Sequence, residues 1–127
     1  MRAVLVDTHI LLWARIAPDK LTEPERRILT TAPRLYLSAV SLWEIAILAA
    51  LDRVERDPRL FDVPDGFTLL PVMTEHCRAL MELPPIHRDP FDRMLIAQAR
   101  TDKLALLTRD AAIAEYVRQG CLTLSEA

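Results

Sequence analysis

Glycine is nearly absent. Two glycines in 127 residues leave nothing from which to build a Gly-rich phosphate loop or a dinucleotide-binding fingerprint. Cysteine is equally sparse: Cys77 and Cys121 stand in no CxxC or Cys/His cluster, which argues against structural zinc and a secreted disulfide framework. Both are read as reduced packing residues. No apolar run approaches the roughly 20 residues that span a bilayer. Asp7 comes too early for a signal peptide, so a cytoplasmic protein without membrane attachment is expected. A dominant charge is missing too, since 18 acidic side chains face 16 basic ones, which excludes a globally basic nucleic-acid coat or polybasic membrane binder. What remains is 51% apolar residues in a chain of ordinary domain size. We expect a single domain over residues 1–127 that needs no metal merely to fold.

The chain reads as short apolar runs alternating with helical patterns. Ala3 to Val6 is a valine-rich strand ending at Asp7, and Ile10, Leu11, Trp13 and Ala14 follow at helical spacing. Glu23 to Ala32 is a polar helix with Thr22 as N-cap, and Leu35 to Leu37 is a brief strand. Ala39 to Leu51 is apolar on every side apart from Ser41 and Glu44, and is expected to be a buried helix. The turn-rich stretch from Asp57 to Gly66 reads as a surface excursion, and Phe67 to Val72 as an edge strand. Helices are expected from Thr74 to Leu83 and from Asp89-Pro90 to about Thr101. Leu104 to Leu107 is a buried strand ending at Thr108-Arg109-Asp110, with a short helix and a last strand at Cys121 to Leu124 after it. Strands alternating with helices imply an α/β fold with a parallel sheet covered on both faces.

Four acids fall in apolar surroundings. Asp7 and Asp110 close two strands, and in open parallel sheets ligands bind outside the carboxyl ends of the strands. Glu44 is the sole charge between Arg34 and Asp52, so its helix takes a carboxylate inward. Asp92 shares a helical stripe with Leu95, Ile96 and Ala99. Grouping such carboxylates is unfavourable through desolvation and like-charge repulsion. The only lysines, Lys20 and Lys103, lie beside none of them in sequence, so a divalent cation is the economical counter-charge. Oxygen ligands without a histidine cluster favour Mg²⁺ or Mn²⁺ over Zn²⁺, and such ions orient water against phosphodiesters. Each acid also has a local reading. Asp7 and Asp110 fit helix N-caps, Glu44 fits a capping box with Ser41, and Asp92 fits a helix dipole. Asp89 fits an N-cap best of all.

Four ordered blocks, VDTHILLWA at 6–14, SAVSLWEIAI at 38–47, HRDPFDRMLIAQA at 87–99 and LLTRD at 106–110, make the chain resemble the PIN-domain family, specifically VapC-type ribonuclease toxins. The resemblance implies a three-layer α/β/α fold with a short-stranded, mostly parallel sheet. It also implies a Mg²⁺-dependent endoribonuclease whose catalytic, metal-binding acids correspond to Asp7, Glu44, Asp92 and Asp110. Thr8, Ser41 and Thr108 would be hydroxyls that orient carboxylates or waters, with Asp89 in support. The implied substrate is RNA, whether tRNA, rRNA or mRNA, and the implied partners are a VapB-type antitoxin and a second copy of the chain in a homodimer.

Arg88, Arg93 and Arg109 are the candidates for holding substrate phosphates, with salt bridging to Asp89 or other surface acids as the alternative. His9 and His87 flank the proposed site in sequence, although metal-assisted hydrolysis needs no general base; His76 is read as a helix-surface residue. Trp13 and Trp43 are read as core residues, with base stacking as the alternative. Two other functions compete. A receiver-type phospho-switch would need paired acids after the first strand and a lysine after a late one, and Asp7-Thr8-His9 and Thr108-Arg109-Asp110 supply neither. A catalytically inactive PIN module that binds RNA or a partner would leave RNA intact.

Overall fold

In the computed structural model, the described residues are 2–86, 88–118 and 123–124. Five strands form one all-parallel sheet: β1 (Val4–Val6), β2 (Leu35–Ser38), β3 (Phe67–Leu70), β4 (Ala105–Leu107) and β5 (Thr123–Leu124), in the spatial order β3-β2-β1-β4-β5. Six helices connect them: α1 (Thr8–Ile16), α2 (Glu23–Thr31), α3 (Ala39–Ala50), α4 (Thr74–Glu82), α5 (Pro90–Thr101) and α6 (Ala114–Arg118). The period of two along a strand sends alternate residues to opposite faces. Val4 and Val6 of β1, with Ala105 and Leu107 of β4, join Ile10, Ile28 and Ile45 beneath α1, α2 and α3. Leu5 and Leu106 face the other way, against Leu95, Ile96, Ile113 and Tyr116 of the α4, α5 and α6 layer. The expected three-layer α/β/α architecture is therefore present.

Local chemistry fixes where the helices begin. Thr22 and Glu25 form a reciprocal capping box at α2, and Pro24 occupies its first turn. Ser38 Oγ accepts from Val40 N–H at 3.0 Å to cap α3, so the capping box proposed for Ser41 and Glu44 does not form. Asp89 caps α5 through the N–H groups of Phe91 (2.8 Å) and Asp92 (3.2 Å), with Pro90 as the first helical residue.

Several expectations are corrected. The α3 helix buries Val40, Ser41, Ile45 and Ala49, while Trp43, Ile47 and Leu51 lie exposed, Trp43 at 62%. An all-apolar helix predicts burial but not its direction, and one face here has no layer above it. Trp43 is thus no core residue; it meets Phe91 edge-on at 5.1 Å. Trp13 is half-buried against the core. His76 is not a surface residue: it is 2% exposed, with Nδ1 accepting from Met73 N–H (2.9 Å) and Nε2 donating to Asp102 Oδ1 (3.2 Å). Cys77 is exposed, not packed, and Cys121 lies outside the described residues. The excursion at 57–66 is anchored, since Leu60 enters the core and Arg15 donates to the carbonyls of Arg59 and Asp62.

Candidate active site

The strand order itself creates a crevice. From β1 the chain builds outward through β2 to β3, then crosses back to lay β4 on the other side of β1. Connections leave the carboxyl ends of β1 and β4 toward opposite layers, and such switch points are where open parallel sheets bind ligands. Asp7 follows β1 and Asp110 follows β4 by three residues, so two of the four acids sit at this crevice by topology alone. A cleft of about 360 Å³ opens there. Its acidic wall consists of Asp7, Asp89, Asp92 and Asp110, with His9, Trp13 and Arg109 completing the rim.

The local and functional readings of these acids hold together. Asp7 Oδ1 accepts from Ile10 N–H at 2.9 Å, Asp110 Oδ1 accepts from Ala112 N–H at 2.9 Å, and Asp89 caps α5, so capping commits one oxygen of each while the residue still lines the cleft. Capping also aims helix N-termini, with their partial positive charge, at the site. Thr108 lies between two of the acids: its hydroxyl is close enough to the Asp7 carboxylate to favour its charged form, and it accepts from Asp110 N–H at 3.1 Å.

Glu44 comes from α3, and Thr8 links it to the rest. The Thr8 hydroxyl donates to Ser41 Oγ at 2.8 Å and lies within bonding reach of the Glu44 carboxylate, which ties the first turns of α1 and α3 together. Glu44 Oε1 is buried and has no hydrogen-bond partner among the described residues. An orphaned carboxylate oxygen is expensive. Burial pushes the Glu44 carboxyl above its ordinary value, partly opposed by Thr8, with Asp89 and Asp7 adding like-charge repulsion. Burial likewise raises Asp7, against the pull of Thr108 and the Ile10 N–H, and Asp110 repels it further.

These are the marks of a site that suits a cation: a buried unpaired oxygen, and two carboxyls, Asp7 and Glu44, raised by burial first and by neighbouring carboxylates second. Among the described residues no three His, Cys, Asp or Glu side chains already converge as a metal-ligating group. Mg²⁺ usually binds through one or two carboxylates and keeps several of its waters, so it does not need a closed cage of that kind.

The arginines divide. Arg109 reaches the cleft and is held by Glu25, not Asp89, through both carboxylate oxygens; Lys20 contributes its carbonyl to the same guanidinium. Arg93 turns to the carbonyls of Pro84 (3.0 Å) and Leu80 (3.4 Å) and to the Tyr116 hydroxyl (3.1 Å), which braces α5 against α6 and the end of α4. Arg88 is exposed one residue before the α5 cap. His87 lies outside the described residues. Sequence reasoning missed Glu25, which is 1% exposed, because it treated α2 as polar throughout; the Thr22-x-x-Glu25 spacing marked the cap, but nothing marked its partner 84 positions away.

Residues 4–119 match the family model of the PIN domain. The chain is 25% identical to Ribonuclease VapC22 of Mycobacterium tuberculosis over 91% of its own length and 93% of that protein's. Among solved structures it is similar to a chain of the VapBC2 complex of Rickettsia felis bound to a promoter DNA fragment (TM-score 0.70, 13% identity, 97% of each chain covered). It also resembles a chain of the FitAcB structure from Neisseria gonorrhoeae (TM-score 0.69, 16% identity, 96% of each) and one of the DNA-bound VapBC of Salmonella typhimurium (TM-score 0.66, 17% identity, 98% of each). With this match and the α/β/α layers already described, the chain belongs to the PIN domain family.

Proposed function

We propose that this chain is a VapC-type endoribonuclease toxin that hydrolyses RNA phosphodiester bonds with Mg²⁺, or Mn²⁺ in its place, and is held in check by a VapB-type antitoxin. The observation that carries the reading is the orphaned, buried Oε1 of Glu44, whose carboxyl burial raises as it raises that of Asp7, beside the switch point where Asp92 and Asp110 join Asp7. The similarity to Ribonuclease VapC22 supports RNA as substrate, and the toxin-antitoxin complexes among similar structures support a protein inhibitor. Such a nuclease acts where cellular RNA is, in the cytoplasm. Among the described residues no helix is long and apolar enough to cross a membrane.

Asp7, Glu44, Asp92 and Asp110 would hold the ion. Bound there, it supplies charge stabilisation for the phosphoryl group and a water acidified enough to attack near neutral pH. The chain's own residues prepare the ground. The Ile10 N–H holds one oxygen of Asp7, Thr8 and Thr108 set hydroxyls beside Glu44 and Asp7, Asp89 anchors the turn that presents Asp92, and the crevice has room for a backbone phosphate beside Arg109. Water adds across the P–O bond, and the leaving oxygen takes a proton.

Exposed Trp43, Ile47 and Leu51, at i, i+4 and i+8 of one helix face, favour burial against a second copy in a homodimer. One rival follows from the absence of a converged three-ligand group among the described residues: an inactive PIN module that binds RNA without cutting it. Incubating purified protein with total RNA and Mg²⁺, with chelator and Asp7→Asn as controls, separates the two. The nuclease gives discrete fragments that vanish in both controls, whereas the inactive module gives none.

A further inference from the structure

Arg109 is an unusual cation for a cleft rim, because three independent contacts immobilise it. Its Nε donates to Oε2 of Glu25, and its Nη2 donates to Oε1 of the same carboxylate and to the Lys20 carbonyl. The guanidinium carbon stands 4.4 Å from the centroid of the Trp13 ring, within the range of a cation–π contact. These contacts occupy three of the five guanidinium N–H groups. The two on Nη1 take no partner among the described residues, and Arg109 and Trp13 both line the acidic cleft. Glu25 itself lies in neither the cleft lining nor the acid cluster. It is a buried carboxylate shared between the Thr22 N–H of the α2 capping box and the guanidinium, and Arg109 holds its carboxyl below the ordinary value.

We propose that Glu25, Arg109 and Trp13 form a preorganised phosphate clamp: Trp13 and Glu25 fix the guanidinium so that its Nη1 edge binds a non-bridging phosphate oxygen of the RNA backbone next to the scissile bond. The clamp rests on the RNA-cleaving reading of the cleft and names its substrate-positioning residue. An anionic strand entering a pocket walled by carboxylates meets repulsion, and a fixed cation at the rim offsets it where the backbone must pass. A flexible surface arginine would lose side-chain entropy on each binding event; Arg109 has lost it already on folding. Glu25 acts through Arg109 and is a positioning residue.

Simple electrostatics and positioning predict opposite signs for Glu25. If only net charge mattered, Glu25→Gln would remove a negative charge near the cleft and tighten RNA binding. If orientation matters, the variant releases the guanidinium and weakens binding. Glutamine keeps the capping-box geometry at the start of α2, so folding is retained.

The test is binding of a labelled 12-nucleotide oligouridylate with Mg²⁺, titrated over salt, with every protein carrying Asp7→Asn so that the strand is not cut. Cleavage of total RNA by the Asp7-intact series runs in parallel. We expect Arg109→Gln to weaken binding about tenfold or more and to lower the slope of log K against log salt by about 0.7, one phosphate contact on a single strand. Arg109→Lys keeps the charge but not the fork, and recovers only part of the loss. Glu25→Gln weakens binding about three- to tenfold, with melting temperature as the control and KM rising more than kcat falls in the cleavage series. Unchanged or tighter binding in Glu25→Gln overturns the clamp while leaving the nuclease standing, and so does full recovery by Arg109→Lys. Binding losses as expected, with no cleavage by the Asp7-intact protein, keep the clamp and sink the nuclease. A parent that binds no oligonucleotide overturns the clamp, and overturns the nuclease with it if the Asp7-intact protein also leaves total RNA uncut.

Discussion

Replacing Asp7 with asparagine should stabilise the metal-free protein while abolishing its function. The side chain is buried, and burial together with the neighbouring Asp110 disfavours its ionised form. Asparagine caps helices about as well as aspartate, so the bond from Ile10 N–H at 2.9 Å survives the change. What disappears is a desolvated charge and its repulsion, worth on the order of 1–2 kcal/mol. For a chain of this length the unfolding entropy is roughly 0.27 kcal/mol/K, so the melting temperature should rise by about 4 to 7 °C in chelator. Divalent ion should then reverse the order. At a concentration about 100 times its Kd an ion adds roughly 2.7 kcal/mol to the parent, and little to a variant lacking a principal ligand. Paired thermal melts of both proteins, with chelator and with Mg²⁺, provide the assay. A variant that melts lower than the parent in chelator, or one whose melting temperature rises with Mg²⁺ as much as the parent's, would refute the reasoning.

The same logic gives a pH dependence. The folded state raises the carboxyls of Asp7 and Glu44 above their ordinary values of 3.8 and 4.5, so it holds protons more tightly than the unfolded chain. Their contribution to metal-free stability is therefore fully present below those values and lost as pH rises through the raised ones; the stability gap between parent and Asp7→Asn should close in acid, and apparent Mn²⁺ affinity should rise with pH over the same window. Glu25 runs the other way, since its lowered carboxyl contributes stability above 4.5 that is lost as pH falls through the lowered value. Gln98→Leu should lower stability by about 2 kcal/mol in a denaturant titration, because the buried amide accepts from Ser38 Oγ at 2.5 Å and donates to the Pro71 carbonyl at 3.2 Å, and leucine would remove the acceptor of the Ser38 O–H and this donor to Pro71; no loss would mean that those groups find other partners. Leu51→Glu, at an exposed position, should convert a homodimer to a monomer in light scattering with no change in monomer fold; an unchanged dimer would place the interface elsewhere.

Much of this architecture was legible because it is local. Val4 to Val6, Leu35 to Leu37 and Leu104 to Leu107 are short apolar runs with turn signals at their ends, and Asp89-Pro90 and Thr22 mark helix starts. The acids stood out through their contrast with apolar neighbours, and the structure brings Asp7, Asp92 and Asp110 to one cleft with Glu44 beside them. Partnerships distant in sequence were not legible. His76 looked like a surface residue because the groups that bury it, Gln98 of α5 and Asp102 just past its end, lie 22 and 26 positions on. Arg93 and Arg109 looked alike as cations near acids, and only the tertiary fold supplies Tyr116 and the Pro84 carbonyl to one and Glu25 to the other. The exposed side of α3 was hidden for a related reason. Composition reveals how much a helix could bury, whereas the layers around it decide how much it does.

Metal-dependent cleavage of RNA tests the account most directly. Purified, partner-free protein should cut total RNA into discrete fragments with Mg²⁺ or Mn²⁺, and the fragments should disappear with chelator, with Asp7→Asn and with Glu44→Gln, while all three proteins remain folded. Intact RNA in every lane from folded parent protein, or cleavage that persists in both variants, would contradict it.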